Sequence, residues 1–275
     1  MKSKIRLYYK LFQIVILFIN GLIIAAGIFP ALNFLYSARE AKTRRDALKT
    51  RWLQWFSAIV NLHIIKEGEL PKKRAILVGN HISWLDIIVI GQYLPAYFVA
   101  KSDISSWPVI GYLARQGGTI FIRRGNKQHI KETAEKMVWS LKQNSSIIAF
   151  PEGTTTKGDE VLHFHASLFQ PALLTRSLIQ PVAIQYHGAA QELAPFVGDD
   201  AFVPHLIRML ALDKIEVRLN FLPVINSSGK NRHSVSLEAR DMIERKISKC
   251  SPQMLRTRSI LKLSRGESYN SKAQS

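Results

Sequence analysis

The sequence predicts an α/β protein, a sheet flanked by helices, preceded by an N-terminal hydrophobic membrane helix or helical hairpin. Three observations carry this. Short apolar runs bounded by turn residues recur along the chain and alternate with segments of helical period. A long uncharged run stands near the N-terminus. The 275 residues are 47% hydrophobic, which is the composition of a folded chain and not of a disordered one. Three regions follow: 1–65 as membrane-anchoring hydrophobic or amphipathic helices, 66–250 as the α/β domain, and 251–275 as a basic, Ser-rich, mobile tail.

No charged residue occurs from Leu11 to Ala38, and Leu11–Leu35 is dominated by Ile, Leu, Phe and Ala, with Gln13, Asn20, Asn33 and Pro30 as its few interruptions. Such a run is long enough to cross a hydrocarbon layer of about 30 Å as a helix. Lys2, Lys4, Arg6 and Lys10 precede it, as in a secretory signal, but the apolar region exceeds the roughly 7–15 residues of a signal. A retained anchor is the better reading. Basic residues also follow the run (Arg39, Lys42, Arg44, Arg45, Lys49, Arg51), so charge asymmetry sets no orientation. Charge on both sides also suits a helical hairpin that enters one leaflet and returns. Trp52, Trp55, Phe56, Ile59, Val60 and Leu62 then recur at helical spacing, either as an interfacial anchor or as a core-packing helix.

Past the turn at Glu69-Leu70-Pro71, strands are predicted at Ala75–Val78, Tyr97–Ala100, Thr119–Ile122, Ile147–Phe150, Ile179–Gln185 and Ile215–Phe221. Helices are predicted around Trp84–Leu94, Gln128–Gln143, Ala166–Thr175, Val203–Leu212 and Val235–Lys249. In Gln128–Gln143 the residues Ile130, Ala134, Met137, Val138 and Leu141 share a face. In such a fold, loops at one sheet edge carry function. A formal charge of +18 calls for an anionic partner: nucleic acid, membrane surface or phosphorylated substrate. One cysteine, Cys250, excludes an intramolecular disulfide and argues against a Cys-based zinc site.

Chemistry concentrates at three strand ends. In Val78-Gly79-Asn80-His81-Ile82-Ser83-Trp84-Leu85-Asp86, His81 and Asp86 would stand roughly 140° apart on one continuous helix. They meet if His81 lies in the strand-to-helix loop and Asp86 in the first helical turn. The carboxylate then fixes the imidazole tautomer and frees the other nitrogen as a general base. A capped helix with a structural histidine explains the stretch equally well. Ser83 lacks the flanks of a nucleophile elbow, so a Ser-His-Asp triad is rejected. Gly117-Gly118-Thr119-Ile120-Phe121-Ile122-Arg123-Arg124 ends a strand in paired guanidinium groups suited to a phosphate. Phe150-Pro151-Glu152-Gly153-Thr154-Thr155-Thr156 sets an acid in a Gly-Thr-rich turn. Gly153 to Gly158 mimics the start of a phosphate-binding loop, but Asp159 and Glu160 occupy the Lys and Ser/Thr positions. His163 and His165 lack companions for a metal site.

Asn80-His81 with Asp86, Gly118 to Arg124, Phe150 to Thr154, and Gln180-Pro181-Val182-Ala183-Ile184 together resemble the four ordered motifs of the glycerolipid acyltransferases, specifically the 1-acyl-sn-glycerol-3-phosphate acyltransferase family. The resemblance covers roughly residues 50–225. It implies a mixed sheet flanked by helices and a membrane-bound enzyme. The reaction implied passes a fatty acyl group from acyl-CoA or acyl carrier protein to the sn-2 hydroxyl of 1-acyl-sn-glycerol-3-phosphate, giving phosphatidic acid. His81 would be the base and Asp86 its orienter. Arg123 and Arg124 would hold the acceptor phosphate, Glu152, Gly153 and Thr154 would complete the acceptor site, and Pro181 would shape the acyl-donor side. No metal and no cofactor beyond the donor are implied. The partners are the bilayer, a lysophospholipid and the donor, without nucleic acid, and the site would face the cytoplasm at the inner membrane. One departure stands out. Many members read E-G-T-R-S where this chain has Glu152-Gly153-Thr154-Thr155-Thr156, so a basic residue is lost and Lys157 is its nearest substitute. That leaves open another lyso-lipid acceptor, such as lyso-ornithine lipid, or glycerol-3-phosphate itself. In a different class, a non-catalytic basic protein binding lipid or nucleic acid also accounts for the charge.

Overall fold

The computed structural model describes residues 2–123 and 127–249. Helix α1 (Lys2–Ile23) runs through a π-helical turn (Ile24–Ile28) into α2 (Phe29–Leu35) as one rod. Pro30 explains the turn: its ring collides with the carbonyl four residues back in a regular helix, and widening the preceding turn removes the clash. Ser37 then starts α3 (Ala38–Val60) with a capping box, its hydroxyl taking the Glu40 amide while the Glu40 carboxylate takes the Ser37 amide. The two rods form an antiparallel hairpin. Asn61 ends α3 in the left-handed conformation (φ 61°), which asparagine tolerates, and the chain turns directly into β1 (Leu62–Glu67). Leu62, the last member of the predicted helical stretch, thus opens a strand that its irregular pattern did not announce.

The remaining strands are β2 (Ala75–Gly79), β3 (Ala96–Lys101), β4 (Ile120–Ile122), β5 (Ser146–Ala149), β6 (Leu178–His187) and β7 (Ile215–Phe221). They form one mixed sheet in the order β1-β7-β6-β2-β5-β3-β4. Strands β6, β2, β5, β3 and β4 are parallel; β7 runs antiparallel to β6 and carries β1 parallel beside it. The five parallel strands end together, so their carboxyl ends make one functional edge.

Helices cover both faces. On one face α1, α3, α4 (Leu85–Gly91) and α9 (Phe202–Ala211) bury Leu17, Phe56, Leu85 and Met209 against Leu77, Ile148 and Ile184. On the other, α6 (Lys127–Lys142), α7 (Gln170–Thr175) and α10 (Arg232–Lys249) bury Met137, Ala172 and Val235 against Ile76, Ile147 and Ala183. Short helices α5 (Ile110–Gln116) and α8 (Ala189–Leu193) fill connections. Trp52 turns inward, its indole N–H donating to the Leu17 carbonyl at 2.9 Å, whereas Trp55 is partly exposed. Of the two readings of that helix, the Trp52 side is core. The expected tail and Cys250 lie outside the described residues.

Beyond Gly79, β2 has no further strand pairing with β6, and the Asn80 side chain takes over. Its Nδ2 donates to the Ile184 carbonyl at 3.0 Å and its Oδ1 accepts the Ile184 amide at 2.9 Å, all three groups buried. Asn80→Ala therefore leaves two backbone groups without partners and should cost about 2–4 kcal/mol in urea unfolding of the detergent-solubilised protein. An unchanged midpoint would show that water takes the side chain's place.

Candidate active site

His81 leaves the carboxyl end of β2 and Asp86 sits in the first turn of α4. Asp86 has no exposed surface, and its two oxygens accept four hydrogen bonds. Oδ2 takes His81 Nδ1 at 2.8 Å, the Ile82 amide at 2.7 Å and the Ser83 amide at 2.9 Å; Oδ1 takes the Tyr186 hydroxyl at 2.7 Å. A carboxylate only accepts, so Nδ1 must carry the proton and Nε2 is left as a base. The imidazole lies flat on Phe150, ring centroids 4.0 Å apart and planes within 10°. Tyr186 comes from β6, and burial first, then the neighbouring Asp86 charge, pushes its phenol well above its ordinary value. It stays a donor at every working pH.

Glu152 buttresses the same loop from the other side. Its Oε1 accepts the His81 amide at 2.9 Å and its Oε2 the Leu162 amide at 3.2 Å. Burial raises its carboxyl above the ordinary value, opposed by those two amides. The carboxylate is turned into the protein and does not border the adjoining cavity. Gly153 makes the turn at φ 74°, a conformation that favours glycine, with its amide on the Phe150 carbonyl. Thr155 donates its hydroxyl to the Phe196 carbonyl, and the Thr156 amide donates to the His81 carbonyl at 2.8 Å. Three loops are thus laced together around His81.

His81, Gly153 and Thr154 border a cavity of about 890 Å³. It runs between the sheet domain and the hairpin, with Phe18, Gly21, Ala25 and Phe29 from the N-terminal rod in its wall. Trp84 stands beside His81, held by its indole N–H on His205 Nδ1 at 3.0 Å, and His205 Nε2 in turn faces the Ala194 carbonyl at 3.1 Å. Burial lowers the His205 imidazole, which favours the neutral ring this chain of donors requires.

The other predicted residues are dispersed. Arg123 follows β4 and is exposed, outside the cavity wall, while its neighbour Ile122 is part of that wall; Arg124 lies outside the described residues. Pro181 is buried inside β6 opposite Val78, accepts the Leu222 amide at 2.9 Å, and does not reach the cavity. Tyr186, His205 and the rod's wall residues escaped the sequence reading. Tyr186 is one more large residue in an apolar strand, and its partner lies 100 positions away.

A family model described as Acyltransferase matches residues 60–185. A lyso-ornithine lipid O-acyltransferase of Pseudomonas aeruginosa is 32% identical over 88% of this chain and 93% of its own length. A 1-acyl-sn-glycerol-3-phosphate acyltransferase of Neisseria meningitidis is 30% identical over 62% of this chain and 67% of its own. The crystal structure of the 1-acyl-sn-glycerophosphate acyltransferase of Thermotoga maritima shares the fold, with a TM-score of 0.62 at 19% identity, covering 89% of this chain and 97% of that one. The protein is an acyltransferase. It belongs to the glycerolipid acyltransferase family.

Tyr186→Phe removes the donor that ties the buried Asp86 carboxylate to β6, so the carboxylate and the His81 imidazole it holds are positioned less firmly. With about 1–3 kcal/mol at stake, kcat for acyl transfer should fall roughly five- to 100-fold with little change in KM. A kcat equal to wild type would reduce Tyr186 to core filling.

Proposed function

We propose that this protein is a membrane-associated O-acyltransferase acting on a lyso-lipid with a zwitterionic amino-acid headgroup, lyso-ornithine lipid being the nearest example. Two cations border the cavity among the described residues, and both are already paired: Lys49 with Asp46 at 2.7 Å and Lys101 with Asp103 at 2.6 Å. A phosphomonoester would need free positive charge there. Lys101 and Asp103 offer instead one partner for a carboxylate and one for an ammonium. The observation that carries the reading is Thr155: where many family members have arginine, this chain has a hydroxyl committed to Phe196. The near full-length likeness to lyso-ornithine lipid acyltransferases supports the same acceptor. Lysophosphatidic acid is the second reading, favoured by Arg123 beside the cavity wall and by the Neisseria relative.

In the reaction, His81 Nε2 takes the proton of the acceptor hydroxyl as its oxygen attacks the thioester carbon of acyl-CoA or acyl carrier protein. The carbon–oxygen bond forms, the carbon–sulfur bond breaks, and the proton passes from Nε2 to the departing sulfur. Asp86 stabilises the imidazolium between those events. The apolar cavity holds the acyl chains, and its volume lies within the range of small-molecule sites, about 300–1,000 Å³.

The N-terminal rod associates with the membrane along its length. It is long and apolar enough to span a bilayer. Both its ends, however, are tied down: Arg6 to Asp213 and Lys10 to the Leu212 carbonyl of the domain at one end, and Asn33 and Phe29 to Arg45 of α3 at the other, where Arg45 in turn donates to the Gln116 carbonyl. Its outer face exposes Tyr8, Phe12, Ile19, Ile23 and Phe34. An in-plane seat in one leaflet satisfies both facts. Water-soluble acyl donors place the site on the cytoplasmic side of the inner membrane.

The test is acyl transfer by the full-length enzyme with lyso-ornithine lipid and lysophosphatidic acid, each with acyl-CoA and acyl carrier protein. Lyso-ornithine lipid should be preferred in kcat/KM by about tenfold or more, and His81→Ala should lower either activity by about 10²–10⁴. Preference for lysophosphatidic acid would overturn the acceptor alone; no product from either would overturn the reaction. Ala25→Phe places a ring in the cavity wall at a position now 4% exposed. It should cut transfer of long-chain donors by at least about tenfold relative to short ones, since overfilling a packed apolar space costs about 1–3 kcal/mol. Equal rates across chain lengths would show that the chain lies elsewhere.

A further inference from the structure

A second cavity, of about 700 Å³, opens at the other end of the sheet, among the amino ends of β2, β5 and β6. It is polar and strongly basic. Lys42, Lys72, Lys73, Arg74 and Arg176 border it, against one carboxylate, Asp46. Asp46 is already shared by two lysines, Lys42 at 2.9 Å and Lys49 at 2.7 Å. Among the described residues, none of Lys72, Lys73, Arg74 and Arg176 has a carboxylate within 4.0 Å. Arg74 is held by neutral oxygens, its Nε on Ser177 Oγ and its Nη2 on the Thr175 carbonyl, both at 3.2 Å.

Structural causes do not absorb this charge. The carboxyl ends of α6 and α7 lie at this end and attract cations, but each contributes only about half a negative charge. Together they offset about one of the surplus cations.

Position selects among anions. Lys42 and Asp46 stand on α3 shortly after the hairpin tip; at about 1.5 Å per residue Lys42 is roughly 6 Å along the axis from Ala38, where α3 leaves the tip. The tip itself presents Phe34 at 90% exposure and Leu35 at 67%. A basic cavity beside protruding apolar side chains matches a ligand that carries a phosphate and hydrocarbon together. We infer that this cavity binds the phosphate headgroup of an anionic phospholipid, as a docking site separate from the catalytic one. The inference is independent of which acceptor is acylated.

The test is flotation of the full-length enzyme with vesicles of phosphatidylcholine alone and of an equal mixture with phosphatidylglycerol. Lys72→Ala/Lys73→Ala/Arg176→Ala should lower partition into the anionic vesicles by about tenfold or more and leave partition into the neutral ones within about twofold. Lys131→Ala/Lys136→Ala/Arg245→Ala removes the same charge from exposed positions on the opposite helical layer, and should change anionic partition by less than about twofold. Inorganic phosphate at constant ionic strength should fail to displace the vesicles. Equal losses in the two triple variants, or no loss in the cavity triple, would overturn the site. Displacement by inorganic phosphate would overturn the lipid as its ligand.

Discussion

One buried carboxylate organises the catalytic end of the molecule. Stripped of water, an ionised Asp86 would cost several kcal/mol unless its oxygens found donors. It finds four, and they serve three structural tasks. The Ile82 and Ser83 amides are the ones left free where the chain turns from strand into helix, so Asp86 caps the loop that precedes its own helix. The Tyr186 hydroxyl ties that loop to β6, and His81 Nδ1 fixes the imidazole. Loop shape, helix start and tautomer are therefore a single arrangement. Any change to one of the four donors is felt by the other three through the charge they share.

The cavity has a mixed origin, and on the proposed reading that links membrane association to catalysis. A helix apolar on all sides is ordinarily buried on all sides. The N-terminal rod divides its surface instead, with Leu17, Phe18, Gly21 and Ala25 turned to the domain and Tyr8, Phe12, Ile19 and Ile23 turned out. Gly21 shows how close the inner approach is: a Cβ there would come within 2.9 Å of the Trp52 indole nitrogen. The same helix thus forms a wall of the cavity and, on the proposed reading, a contact with lipid that lets an acceptor pass from leaflet to cavity without crossing water.

Much of this was legible in the sequence, and the reasons for the gaps are physical. Six of the seven strands stood out: five because buried parallel strands are continuous apolar runs, and β7, antiparallel to β6, because Ile215, Val217, Leu219 and Phe221 alternate with polar residues. Strand β1 lies at the sheet edge with most of its residues exposed, and His63, Lys66 and Glu67 break its pattern. The His81–Asp86 pair was legible because its spacing is incompatible with one helix face but suits a loop followed by a helix turn. Tyr186, His205 and the cavity were invisible. Each depends on contacts across scores of residues, and no local pattern records them. Glu152 was found for its place in a motif; only its orientation, inward to two backbone amides, reveals that it supports His81.

The absence of an enzyme nucleophile in the proposed reaction has a consequence for how substrates are held. Ser83, the hydroxyl nearest the base in sequence, is fully buried, and its amide is committed to Asp86. Its hydroxyl does not border the cavity. An acyl group that never rests on the protein must pass directly from sulfur to acceptor oxygen, so donor and acceptor have to be present together. That demands one space wide enough for two ligands with their reacting atoms aligned at His81 Nε2, and proximity then supplies much of the rate. Lacing three loops around the histidine meets this demand. With Glu152, Thr155 and Thr156 fixing the loop positions, the base is set in place before either lipid arrives, and substrate binding does not have to order it.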